Sequence, residues 1–278
     1  MSDKKTWFVT GASSGLGLSL VKQLLAEGQN VVATTRNKKG LEKVIGDVSH
    51  FLPLEMNLSD ESSVNSALND ALSRFGAIDV VVNNAGFGQT GTLEELDDEE
   101  VRKCFDVNVF GMLNVIRHVM PHLRNQKSGH IINISSMAGI QGRIPGWGVY
   151  CAAKFAVAGL SEALYEEVKP FGIKVTLVYP GHMRTGFLSK GSLMLPSNPV
   201  SDYVLIRKNE EEATEQMNGM QIGDPEKAAT KLIKITHIEK PPLHYFLGED
   251  VYDAARKKIQ SLGDALDTWK EDSLSIGF

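Results

Sequence analysis

Apolar positions along the chain fall into two periods. Short, nearly continuous apolar runs over residues 7–10, 30–35, 51–54, 78–83, 130–135, 173–179 and 243–247 predict strands buried on both faces. Between them, Leu16, Leu20, Val21, Leu24 and Leu25 recur at helical spacing, with Gly28 as a stop. Val64, Ala67, Leu68, Ala71, Leu72 and Phe75 form a second helical stripe. Residues 101–120 and 150–169 predict further helices, and Pro121 interrupts the first or allows a bend in it. Strands alternating with helices predict an α/β class: a doubly wound, mainly parallel sheet with helices on both faces, because each crossover helix must bury its stripe against the sheet.

The stretch 186–223 breaks this rhythm. It opens with glycine, serine and proline and then carries a charged run over 207–212. It is too long for a plain connection. It reads as a substrate-binding insertion or lid over the carboxyl ends of the strands, against the plainer reading of a surface insertion. The amphipathic tail 250–278 reads as a C-terminal extension that packs late. No repeat or linker divides the chain, so 1–278 is expected to be one domain.

Composition narrows the function classes. The 278 residues are 42% hydrophobic and 23% charged, as in ordinary globular proteins. The net charge of -5 and the lack of a basic block give no reason to expect a nucleic-acid partner. No run is apolar enough for a membrane helix, and the first residues lack a secretory signal. The cysteines Cys104 and Cys151 have no metal or redox spacing, and the seven histidines form no HExxH pattern; only His118 and His122 stand four apart, without a third ligand nearby in sequence. A cytoplasmic protein with no metal is expected.

After the first strand stand Thr10, Gly11, Ala12, Ser13, Ser14, Gly15, Leu16 and Gly17, and a helix follows. Such a turn lets backbone approach a bound group, and the helix start offers free N–H groups to an anion. The lysine and hydroxyl pair of a P-loop is absent. At the end of the second strand, Thr35 stands where dinucleotide folds place a ribose-binding acid, and Arg36 follows. A guanidinium suits a phosphate, so NADP(H) is expected over NAD(H).

Tyr150 and Lys154 lie four apart, on one face of a helix, where the ammonium favours the phenolate. Ser136 follows a strand, and Asn108 sits inside a helical pattern without a capping duty. With TGASSGLG at 10–17, NNAG at 83–86, YCAAK at 150–154 and YPG at 179–181 leading to Thr185, the chain resembles the short-chain dehydrogenase/reductase family from about residue 5 to 247.

The resemblance implies a Rossmann-type sheet of seven strands in the order 3-2-1-4-5-6-7. It implies Tyr150 as general acid or base and Ser136 as the group that polarises the substrate oxygen. Lys154 would bind the nicotinamide ribose and lower the Tyr150 pKa, and Asn108 would place a water near Lys154. The cofactor would further meet Gly11, Ser13, Ser14, Gly15, Leu16, Thr35, Arg36, Asn84, Ala85 and Gly86. Pro180, Gly181, Met183 and Thr185 would embrace the nicotinamide end. Asn57, before Leu58, departs from the aspartate that many members place beside the adenine. Strand alternation selects Ser136 over Ser135 as the residue facing substrate.

Near the reaction centre Met137, Arg143, Trp147, His182 and Phe187 are expected, which suits a hydrophobic ketone, aldehyde or secondary alcohol. Trp147 reads equally as core and His182 equally as a local structural group, while Arg143 reads first as a solvated loop residue and second as a contact for an acidic substrate. The family also implies a homodimer or homotetramer, with 152–163 allowing close helix packing. Two other classes stay open: a nucleotide-sensing, non-catalytic module, and an epimerase or lyase on the same fold.

Overall fold

The computed structural model describes residues 4–189 and 191–278. Its first half runs β1 (Thr6–Thr10), α1 (Gly15–Ala26), β2 (Asn30–Thr35), α2 (Lys38–Ile45), β3 (Phe51–Glu55), α3 (Glu61–Phe75), β4 (Val80–Asn83) and the short β5 (Gly88–Gln89). Then come α4 (Asp98–Phe105), a π turn (Asp106–Phe110), α5 (Gly111–Gln126), β6 (Gly129–Ile134), α6 (Gly148–Val168) and β7 (Ile173–Pro180). The last part holds the short β8 (Leu193–Met194), α7 (Val204–Met217), α8 (Pro225–Ile235), β9 (His244–Leu247), α9 (Glu249–Thr268) and α10 (Lys270–Leu274).

Seven strands form one sheet in the order β3-β2-β1-β4-β6-β7-β9. All six pairings are parallel. With the two-residue β5 and β8 set aside, this is the expected doubly wound order. Strand alternation sorts side chains between two cores. Phe8, Val32, Val81, Ile131, Val175 and Leu177 face the helices α3, α5 and α6. Trp7, Val9, Val31, Val80, Val82 and Ile132 face α1, α2 and α8. Each fully buried large apolar side chain contributes about 1.5–3 kcal/mol relative to exposure. The direction of winding reverses at the β1–β4 pair, which opens a crevice at the carboxyl ends of the strands.

Two helices, α2 and α8, were not among the elements expected from the sequence. The short α2 carries Gly40 inside and buries only Leu41. α8 is announced by local chemistry: Asp224 caps Glu226 N and Lys227 N, and Pro225 takes the first turn. Pro121 lies inside α5, which continues through it to Gln126. The irregularity comes earlier, at the π turn, through which the helical path runs on from α4 into α5.

Among the described residues of 186–223 the structure has one full helix, α7, and two single 3₁₀ turns, Gly186–Leu188 and Ser201–Tyr203. β8 pairs with β5 beside the sheet. The tail is helical, but α9 buries only Val251 and Ala255. Among the described residues no helix is long and apolar enough to cross a membrane.

Candidate active site

The carboxyl ends of β1, β2, β4, β6 and β7 open into one cleft of about 840 Å³. At one end, β1 passes through Gly11 into α1. Gly11 has φ +66°, and a Cβ there would stand 2.6 Å from Ala85 Cα, so the turn tolerates no side chain. Ser14 caps α1 without a side-chain hydrogen bond, which leaves the first N–H groups of the helix free toward the cleft. Asn84 Nδ2 donates to the carbonyls of Thr10 at 2.9 Å and Gly11 at 3.1 Å, tying β4 to the turn. Ser13, Gly15, Leu16, Thr35, Arg36, Asn57, Leu58, Ala85 and Gly86 line the same end. Arg36 is exposed and makes no ion pair among the described residues.

At the other end, β6 delivers Ser135 and Ser136. Ser135 is buried, and its hydroxyl donates to Lys154 O at 3.0 Å. Ser136 turns the opposite way: its Oγ lines the cleft and accepts from Ala138 N at 3.1 Å. The first turns of α6 bring Tyr150 and Lys154 alongside. Tyr150 packs edge-on to Trp147 at 5.6 Å and tilted against Phe187 at 5.8 Å. Lys154 Nζ donates to Ile134 O at 3.1 Å and lies 5.7 Å from the Tyr150 ring centroid.

Burial governs the titration of this pair. It raises the Tyr150 pKa well above the ordinary phenol value, and a hydrogen bond with Ser136 acts the other way. It pushes Lys154 down to about 8. The sequence pattern anticipates a phenol lowered by the lysine. In this structure the ammonium is engaged by the Ile134 carbonyl and desolvation of the phenol dominates.

Asn108 sits in the π turn, a distortion frequent at functional sites. Its Nδ2 donates to Cys104 O at 2.9 Å and Phe87 O at 3.1 Å. Its Oδ1 is buried without a partner. A Cβ on Gly86 would lie 2.5 Å from that oxygen and 3.5 Å from Lys154 Nζ, so asparagine and lysine meet at one point.

The loop after β7 closes the cleft with Pro180, Gly181, His182, Met183 and Thr185, and Met137 lines it from the turn after β6. Arg143 is exposed and stays outside the lining, in a turn where its backbone N–H donates to Gln141 Oε1 at 3.2 Å. Sequence reasoning missed Asp250. Its Oδ2 accepts from His182 N at 2.7 Å and from His182 Nδ1 at 2.8 Å. A side chain on Gly181 would collide with the same carboxylate. Burial alone would raise Asp250, but the His182 hydrogen bonds and then Val251 N outweigh it and hold it below the ordinary carboxylate range. No local signal links these residues, because 68 positions separate them.

The α7 wall was also missed. Ile206, Ala213 and Met217 face the cleft together with Asn209 and Glu210. Burial raises the Glu210 carboxyl, and Thr214 Oγ1 donates to it at 3.0 Å. The segment is anchored below by Glu95, fully buried, which accepts from Thr92 N and Val200 N at 3.0 Å and pairs with Arg207.

Known proteins share this arrangement. A family model described as short chain dehydrogenase matches residues 5–194. The chain belongs to the short-chain dehydrogenase/reductase family. It is 34% identical over 273 residues to the Botryotinia fuckeliana oxidoreductase BOA17, covering 98% of each chain. It is 37% identical over 242 residues to a 3-ketodihydrosphingosine reductase of Bacteroides thetaiotaomicron, covering 86% of each. A short-chain dehydrogenase from Streptomyces avermitilis superposes with a TM-score of 0.89 at 33% identity, covering 98% of this chain and all of that one. Membership makes the chain an oxidoreductase of nucleotide-binding fold.

Proposed function

We propose that the chain is an NADP(H)-dependent oxidoreductase that interconverts a hydrophobic ketone or aldehyde and its alcohol. One observation carries the reading: Ser136, Tyr150 and Lys154 line the same cleft as the glycine turn and the open start of α1. The cradle fits a dinucleotide, since a Cβ at Gly11 would fill it and the uncapped helix start offers donors to an anion. Arg36 supplies a free cation at the tip of β2, suited to a 2′-phosphate. When bound, the nicotinamide supplies or accepts hydride.

The chain's own groups do the rest. Ser136 and Tyr150 hold the carbonyl oxygen between two hydroxyls, and Tyr150 gives it a proton in reduction. Lys154 binds ribose hydroxyls and places positive charge behind the phenol. The unpartnered Asn108 Oδ1 accepts a water that links Lys154 to solvent. The segment 186–223 acts as the lid, within a single domain. Phe187, Trp147, Ile206 and Met217 suit an apolar substrate body, and Glu210 disfavours an anionic one. Two relatives are named for reducing 3-keto or 3-oxo substrates, which supports a carbonyl substrate. The assembly is a homodimer or homotetramer, and the place of action is the cytoplasm, in keeping with two buried free thiols.

The test is NADPH oxidation at roughly 340 nm across a panel of hydrophobic ketones, aldehydes and keto acids, with NADH in parallel and Tyr150→Phe as control. Removal of the acid is expected to cost about 10²–10⁴-fold in turnover. Equal rates in wild type and Tyr150→Phe would overturn the assignment.

A further inference from the structure

α9 presents an apolar stripe that its own domain does not cover. Tyr252, Ala255, Ile259, Leu262, Leu266 and Trp269 recur in alternating steps of three and four, the spacing of a two-helix seam. The stripe begins docked: Val251 and Ala255 are buried, against the sheet end and the turn after β6. It then runs off the body. Ile259 is 59% exposed, Leu266 73% and Trp269 63%. At about 1.5 Å per residue, the part beyond Ala255 projects by roughly 20 Å. Side chains of this size in a continuous row mark a contact surface rather than scattered surface apolars.

Charge selects the occupant. The root of the projecting part is basic, with Arg256, Lys257 and Lys258, and the far part carries Asp264, Asp267, Glu271 and Asp272 against Lys270. A second α9 laid antiparallel sets each basic block beside an acidic one, whereas parallel alignment sets like against like. The same geometry opposes the two helix dipoles favourably. Gly263 lies near the middle, with nothing within 4 Å of where a Cβ would stand, and lets the two backbones approach. A two-fold axis through this point gives the same patch to both copies and closes the assembly. The segment from Glu249 onward holds seven acidic and four basic residues, which disfavours an anionic membrane surface as the cover.

We propose that α9 pairs antiparallel with α9 of a second copy of this chain, through Ile259, Leu262, Leu266 and Trp269. This surface is separate from the face of α6 that carries Ala152, Phe155 and Gly159, so it does not depend on that face pairing.

The test is the mass of the full chain by sedimentation equilibrium and light scattering. Wild type is expected to be an even-numbered assembly at micromolar concentration. Leu262→Asp with Leu266→Asp is expected to raise the dissociation constant by at least roughly 100-fold, with the circular dichroism spectrum of the folded chain unchanged, since both side chains are exposed. Two charge variants read the direction. Lys257→Glu with Lys258→Glu, and separately Asp264→Lys with Asp267→Lys, are each expected to weaken self-association. Mixing the two is expected to restore a heterodimer. A monomeric wild type overturns the proposal. So does a mass that the leucine variants leave unchanged, or leucine-dependent binding of a monomer to zwitterionic vesicles.

Discussion

Asp250→Ala isolates what holds the loop after β7. In the wild type the carboxylate receives two donors from His182, at 2.7 and 2.8 Å, and a third from Val251 N at 2.9 Å. A hydrogen bond to a charged acceptor contributes about 1.5–3 kcal/mol. The imidazole is 37% exposed, so its share falls toward the surface range of about 0–1 kcal/mol. The backbone bond from His182 then dominates, and the loop loses about 2 kcal/mol of order in the variant. If that order is needed for the nucleotide, its dissociation constant rises about 30-fold. The assay is a fluorescence titration with NADPH, beside a thermal melt. Asp250→Asn keeps an acceptor oxygen and should fall between the two. The sign with pH follows from the lowered carboxyl: its contribution is present above the ordinary aspartate range and is lost as pH falls through the lower folded value. NADPH affinity of the wild type is therefore expected to hold through mildly acid pH. An Asp250→Ala chain that binds NADPH as tightly as wild type would refute the clamp.

Arg36→Ala should weaken NADPH binding by about 10–100-fold and NADH binding by less than about 3-fold, since only the former offers a phosphate to the guanidinium; equal losses in parallel titrations would remove the basis for NADP(H). Glu95→Gln leaves Arg207 without its carboxylate beneath α7. A loss of roughly 3 kcal/mol is expected, seen as a fall in melting temperature of about 6–10 °C and as faster proteolysis within 186–217. Lys154, pushed down to about 8 from 10.5, gives opposite trends with pH. Between those values the unfolded chain holds more protons, so stability from this group rises with pH, while turnover falls above about 8 as the ammonium is lost. Chemical melts and rate profiles over the same range check both, and parallel trends would contradict the assignment.

The strands were readable because a parallel sheet covered on both faces concentrates apolar and β-branched residues in β1, β2, β6 and β7, with polar ones such as Asn133 and Thr176 buried and hydrogen-bonded. α2 was not, since burying one leucine beside Gly40 leaves little periodic signal, whereas α8 carries both an Asp–Pro start and a stripe over Ala228, Ala229, Leu232, Ile233 and Ile235. Pro121 does not interrupt the helix. A proline removes one donor inside a helix, and α5 continues on its remaining bonds, whereas the π distortion around Asn108, within a helical path that runs on from α4 into α5, carries no sequence mark of its own. The glycine turn, Asn84, Ser136, Tyr150 and Lys154 announced themselves by spacing. Asp250 and Glu95 did not, because each acts on a residue far along the chain, His182 and Arg207, and only the fold brings them together. Arg143 shows the converse: nearness in sequence to Trp147 and Tyr150 does not carry a side chain into the cleft, and the arginine stands exposed in a turn, as its solvated-loop reading expects.

The buried pair also bears on direction. Desolvation penalises whichever form is charged, so it favours neutral phenol at Tyr150 and works against the ammonium at Lys154. A phenol held protonated across the ordinary pH range is ready to give its proton to a developing alkoxide, and Ser136 stands beside it to share that charge. The reverse step asks the same phenol to lose its proton first, against its burial, with only Lys154 in reach as a compensating charge. That cost falls as pH rises, but so does the fraction of Lys154 that is charged, from about pH 8 upward. In the reaction proposed, the two directions therefore differ in pH dependence: reduction draws on the phenol that burial keeps protonated, oxidation on its ionised form, and both lose the Lys154 charge from about pH 8 upward.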